Sequence, residues 1–259
     1  MSGITGVSGG NPYGSSLESQ IASGSKLQSA ADGAAEKAIA EKENAQINGL
    51  DQGRRNAEDG KSLLNVADGA MSGIADNLQR IRELAVQASN SAILSDKDLR
   101  MIQDEIDQLK QGISDIANNT EFNTKKLLDG SCGDVHIQSG ANEGQGLTLD
   151  IGAATLEALG IQDFDVTGDF SLQTIDDALA KVSGNRSAIG AQSNALDYAI
   201  SYNSQASINH TFAVSNLEDA DIAEVTSELN KQRLLQSYQF MLQKKQQEQE
   251  QEKQKFWFI

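Results

Sequence analysis

The sequence predicts a mostly α-helical chain, with long antiparallel helices forming a coiled-coil-like rod and a small β-hairpin region at the centre. Three observations predict it. The 259 residues contain one proline, Pro12, where average usage of about 5% would give roughly a dozen. Beyond Pro12 the chain lacks the residue that most strongly breaks helices. Apolar residues recur at spacings of three and four over long stretches, the pattern of helices with one buried face. Glycines gather instead between Gly130 and Gly152, among short alternating segments that read as strands.

Each element follows in order. Residues 1–16 are Gly- and Ser-rich and read as a flexible arm. From Leu17 to about Ala57 the chain is rich in Ala, Glu, Gln and Ser, which favours helix, with bends expected at Gly24, Gly33, Gly49 and Gly53. Next, Leu64, Met71, Leu78 and Ala85 recur every seven residues, interleaved with Ala67, Ile74, Ile81 and Ala88. Two such series make a coiled-coil seam. A helix over Ser62–Ala92 would be roughly 45 Å long. Ser95 or Asp96 caps a second helix, whose Leu99, Ile102, Ile106, Leu109, Ile113 and Ile116 continue the spacing and complete an αα-hairpin.

From Asn119 to about Gly168 short strands are expected, at Val135–Ile137 and Leu147–Ile151. Helical character returns at Ser171 with Leu172, Ile175, Leu179 and Val182 on one face. It loosens near Gly184 and Gly190 and continues through Leu196, Ile200, Ile208 and Phe212. Leu217–Asp221 is a polar break before a last helix, which ends in a Gln/Glu/Lys tract, residues 243–255, and the apolar tip Phe256-Trp257-Phe258-Ile259.

Composition excludes several functions. A formal charge of −16 is unsuited to nucleic acid, whose phosphates require clustered Lys and Arg. No apolar run approaches the length of a membrane span, so no membrane insertion is expected. The first residues lack the basic start and apolar stretch of a secretory signal, which leaves a signal-less export route. One cysteine, Cys132, and two histidines, His136 and His210, cannot build a standard zinc site. The Gly-rich run Gly140–Gly146 has neither the Lys of a P-loop nor dinucleotide spacing. Asp163–Asp169 resembles half a calcium loop, but the twelfth position is Thr174, where a bidentate Glu is needed. No catalytic, cofactor-binding or metal-binding residue is assigned, and no enzyme activity is expected.

Several segments are recognisable. Leu27–Ala35 resembles the N-terminal region of bacterial flagellins, and Asn77-Leu78-Gln79-Arg80-Ile81-Arg82-Glu83-Leu84-Ala85-Val86-Gln87-Ala88 resembles the family's signature in its long inner helix. Ile102–Ile106, Thr120–Asn123, Lys126–Gly130, Ile137–Asn142, Ile175–Leu179, Arg186–Ala191 and Leu217–Asp221 are similar in the family's order. Together they run from about residue 21 to 235.

The resemblance implies a structural subunit that self-assembles into the extracellular flagellar filament for motility, exported through the flagellar type III system. It divides the chain into filament-core arms at 1–40 and 219–259, a long-helix half at 41–130, a short β/loop region at 131–170 and a return helix at 171–218. Implied partners are further copies of the chain as a helical homopolymer, an export chaperone at the C-terminal segment, hook-associated and cap proteins, and the vertebrate flagellin-sensing Toll-like receptor. Arg80, Leu84 and Glu105 match that receptor's contacts; Arg80 and Leu84, four apart, share a helix face. The self-association seam is read as Leu64, Met71, Ile74, Leu78, Ile81, Leu99, Ile102, Ile106 and Leu109. Both ends depart from the family pattern, most visibly in charges from Lys244 to Lys255 that are costly to bury unless paired. A hook–filament junction protein or a secreted adhesin on the same helices is the alternative reading.

Overall fold

The computed structural model describes residues 12–90 and 93–257. The helices are α1 (Pro12–Ser23), α2 (Ala34–Ala88), α3 (Asp96–Asn119), α4 (Leu156–Leu159), α5 (Leu172–Glu218) and α6 (Ile222–Trp257). Two antiparallel hairpins lie between α3 and α4: β1 (Glu121–Phe122) with β2 (Lys125–Lys126), and β3 (Asp134–Gln138) with β4 (Gly146–Asp150). The mostly α class with long helices and a small hairpin region therefore holds. The chain forms two compact units, one from residues up to Ala45 and from Asn209 onward, the other from Gln46 to Ile208.

The larger unit has a continuous apolar core. Leu64, Ala67, Met71, Ile74, Leu78, Ile81 and Ala85 are fully buried, and Ala88 nearly so. Each large side chain in that row contributes about 1.5–3 kcal/mol by leaving water. Within this unit α3 runs antiparallel to α2: Arg80 reaches Glu105, and a Cβ on Gly112 or Gly73 would touch Asn77 or Ile116. The α5 segment is antiparallel to α2 as well, with Arg82 on Asp176 (2.6 Å), Arg186 on Asp68 (2.8 Å) and Lys61 on Asp197 (2.6 Å). These pairs are half-exposed, so they fix register more than they stabilise.

Local chemistry explains the boundaries. Ser95 Oγ accepts from the Asp98 N–H and Asp98 Oδ2 accepts from the Ser95 N–H, a capping box that starts α3. The Ser95 hydroxyl, donating to Asp98 Oδ2 at 2.7 Å, and after it the Ser95 N–H hold the Asp98 carboxyl below its usual range. Asp221 Oδ1 accepts from Ala223 and Glu224 N–H and starts α6. The β1–β2 turn places Asn123 (φ 47°) and Thr124 (φ 66°) in the left-handed region that a two-residue hairpin demands.

Several expectations are corrected. Residues 12–16 belong to α1, not to an arm; Pro12 presets φ at the first helical position. Residues 1–11 of that arm lie outside the described residues, as do Ala92, Phe258 and Ile259. The long helix begins at Ala34 rather than Ser62 and ends at Ala88. Gly24 and Gly33 do sit in the α1–α2 connection, but Gly49 and Gly53 lie inside unbroken helix. There the β3–β4 loop presses on α2: a Cβ on Gly53 would lie 2.5 Å from the Ser139 oxygen, and one on Gly49 2.7 Å from the Ala141 Cβ. These glycines permit backbone approach. Gly184 and Gly190 do not loosen α5, since burial of Val182, Ile189 and Leu196 offsets the roughly 1 kcal/mol that each glycine costs.

The smaller unit is built differently. Among its described residues the buried apolar side chains are Leu27, Ala40 and Leu229. Here α1 packs on α6, and Glu18 pairs with Arg233 at 2.7 Å. The α1–α2 connection meets the end of α5 through Lys26 N–H to Glu218 O (2.7 Å) and Ala220 N–H to Gly24 O (2.9 Å). Lys37 pairs with Glu218, and His210 with Glu43.

Candidate functional site

Three features outside the core could act on a partner. The first is a groove of about 290 Å³ between α2 and α3, lined by Arg80, Leu84, Leu94, Met101, Ile102 and Glu105. Helix periodicity puts Arg80 and Leu84 one turn apart on α2, and Met101 and Glu105 likewise on α3. The Arg80 guanidinium donates from Nε (2.9 Å) and an Nη (2.8 Å) to Glu105 Oε1, and from its other Nη to Glu83 at 2.9 Å. Glu105 above all, then Glu83, holds that group still more firmly in its charged form.

Arg80, Leu84 and Glu105 are thus brought together, but Leu84 offers almost no exposed surface. It is 2% exposed and forms part of the core. Its α2 position faces the row that α3 covers, so it serves as groove floor. Met101, 56% exposed, presents the apolar surface instead. Helix spacing put Met101 on the face of Glu105, four residues on, but its exposure came only with the packing of α3 on α2.

The second feature is the outer face of α6. Leu234, Leu235, Tyr238, Phe240, Met241 and Leu242 are all exposed. Leu234, Tyr238 and Met241 recur at four and three, a helical stripe legible in the sequence but not singled out there. From Gln243 to Lys253 the helix is polar on every side and exposed. The residues read as a self-association seam are placed elsewhere. Leu64, Met71, Ile74, Leu78, Ile81 and Ile106 are fully buried in the larger unit, with Ile102 nearly so and Leu99 and Leu109 packed against them. In this conformation the fully buried six offer no surface to a second copy.

The third feature is the acidic loop at 163–169, beside a hollow of about 700 Å³. Asp165 Oδ1 accepts from the Thr167 N–H and hydroxyl, both at 2.7 Å. The hydroxyl first and the backbone second draw that carboxyl below its usual range. Gln103 accepts from the Val166 N–H at 2.8 Å, and Lys110 donates to the Phe164 carbonyl at 3.2 Å. The loop is a strap across α3. Among the described residues no group of three or more His, Cys, Asp or Glu is arranged to hold a metal ion.

The remaining singled-out residues are apart from these features. His136 pairs across the hairpin with Thr148, its ring over Gly146. His210 bonds Glu43 in the other unit. Cys132 is half-buried, and burial first of all pushes its thiol up, which favours the unreactive protonated form.

Comparison with known proteins agrees with this arrangement of helices. Residues 8–132 match the bacterial flagellin N-terminal helical region, and residues 172–252 match the bacterial flagellin C-terminal helical region. The chain is 40% identical to the flagellin of Halalkalibacterium halodurans, over 86% of this chain and 84% of that one. It is 37% identical to the flagellin of Bacillus subtilis over 86% of each. The crystal structure of Bacillus cereus flagellin superimposes with a TM-score of 0.51 at 30% identity, covering 57% of this chain and 88% of that one.

Proposed function

Since this chain belongs to the bacterial flagellins, structural subunits that polymerise into the flagellar filament, we propose that its two units have separate duties in that filament. The larger unit is a finished globule whose apolar rows are spent internally. The smaller unit carries the contact between copies, through the α6 stripe at Leu234, Leu235, Tyr238, Met241 and Leu242. One observation carries this reading: among its described residues the smaller unit buries only Leu27, Ala40 and Leu229 as apolar side chains, while α6 exposes seven large ones. A monomer that leaves such a stripe in water gains by covering it with another copy. The same contact repeated head to tail generates an open helical polymer.

The charged tract from Lys244 to Lys253 stays solvated in this scheme. Before assembly the α6 stripe also needs shielding, which suits an export chaperone bound to the C-terminal segment. Hook-associated and cap proteins would meet the filament ends through the same helices. The groove of Arg80, Leu84, Met101 and Glu105 is the surface offered to the vertebrate flagellin-sensing Toll-like receptor. It joins an ion pair to an accessible thioether, a mixture suited to a small recognition hot spot. No catalytic role is proposed.

Seeded polymerisation tests the assignment. The purified chain is mixed with sheared filaments and followed by sedimentation and negative-stain microscopy. Tubes are expected from the parent chain, and none from a Leu234→Ser, Tyr238→Ser, Met241→Ser variant whose melting temperature is unchanged. A variant that still forms tubes removes the α6 stripe from the contact. A parent chain that stays monomeric and binds a surface instead favours the junction or adhesin reading.

A further inference from the structure

We infer that Met101 is an oxidation site that switches the α2–α3 groove from apolar to polar. The four methionines separate by environment: Met1 lies outside the described residues, Met71 is 0% exposed in the core, and Met101 and Met241 stand mostly in solvent. Among the apolar residues lining the groove, Leu84 and Ile102 are buried and Leu94 is half-buried. The groove's accessible apolar surface is therefore concentrated on one side chain, and that side chain carries a thioether.

The chemistry balances with a hydroperoxide as oxidant. A sulfur lone pair of Met101 attacks the terminal peroxide oxygen and the O–O bond breaks. An S–O bond forms, and the departing oxygen takes a proton and leaves as water from hydrogen peroxide. Sulfur loses two electrons and the peroxide gains them. The product is a chiral, strongly polar sulfoxide, which thiol-dependent reductases return to the thioether. In the groove it stands beside the Arg80–Glu105 pair, so a face that joined charge to an apolar contact becomes polar throughout. A partner surface built to cover the thioether would then have to desolvate the sulfoxide without a matching donor. This consequence rests on the groove reading proposed above; the modification itself rests on exposure and sulfur chemistry alone.

The test uses the full chain in its unassembled state. Hydrogen peroxide is titrated in and peptides are mapped by mass spectrometry, with Met71 as the internal control. Met101 is expected to convert about tenfold or more faster than Met71, because access controls the reaction. Equal rates at the two positions overturn the proposal. Binding to the receptor ectodomain is then compared for the parent chain and a Met101→Leu variant, each with and without peroxide. Treatment is expected to weaken the parent by about tenfold and to leave the variant unchanged, so that Met241, oxidised in both, is controlled. Equal weakening of the two overturns the switch. A parent chain that fails to bind before treatment refutes the groove reading, while the mapped rates still decide whether Met101 is the modification site.

Discussion

Replacing Gly53 by alanine tests whether the glycines of α2 serve close approach or only dilute the helix. On propensity the change gains about 1 kcal/mol, since alanine is the best helix former and glycine among the worst. The structure reverses the sign. The added Cβ would meet the Ser139 carbonyl oxygen at 2.5 Å, its carbon at 2.7 Å and the Gly140 nitrogen at 3.1 Å. All three are backbone atoms, so no side-chain rotation relieves them, and the β3–β4 loop must move. That loop is pinned by Asn56 to the Gln138 carbonyl (2.9 Å) and by Asn203, itself buried, to the Ser139 carbonyl. Overpacking costs about 1–3 kcal/mol, and a strained buried hydrogen bond adds about 1 kcal/mol. The net expectation for Gly53→Ala is a loss of about 2 kcal/mol. For a chain of this size that lowers the melting temperature by about 4–8 °C. Gly69, on the same helix, meets nothing within 4 Å, so Gly69→Ala should keep the propensity gain and raise the temperature by about 2–4 °C. Thermal unfolding followed by the far-ultraviolet circular dichroism of the helices reads both. Equal stabilisation by the two substitutions would refute the close-approach argument.

Other outcomes follow from the same structure. Met71→Ala, at a fully buried position, should cost about 2–5 kcal/mol in chemical denaturation. Thr124→Gly should stabilise by about 1 kcal/mol, because a β-branched residue is held at φ 66° where glycine is unstrained; an unchanged midpoint would contradict it. Asp98, Asp129 and Asp176 all have carboxyls held below their usual range, by Ser95, Ser131 and Arg82 respectively as the leading causes. A depressed folded-state value means that the stabilisation is present above the unfolded-state value and is lost as pH falls. The melting temperature should therefore decline below about pH 4, less steeply when Ser95 and Ser131 are both alanine. Arg80→Ala should leave the melting temperature within error, its partners being exposed, so a loss of receptor binding by that variant reports on recognition.

The period of apolar residues was enough to find the buried row from Leu64 to Ala88, because a helix repeats every 3.6 residues whatever surrounds it. The cap at Ser95, the strands around His136 and Thr148 and the break at Leu217–Asp221 were legible for the same reason: each depends on neighbours within a few residues. Period could not say which face of a helix is covered, or by what. Leu84 and Met101 are both apolar, on facing helices of one groove, and only the packing of α3 on α2 buries the first and exposes the second. Gly49 and Gly53 resemble helix breakers until a loop nearly ninety residues later, near Ser139 and Ala141, comes to lie against them. The α6 stripe had a readable spacing, but its exposure depends on how little of the smaller unit covers it. Local chemistry and helical period were thus determined by the sequence itself. Burial was decided by tertiary structure, because the atoms that exclude water from a side chain come from residues far away in the chain.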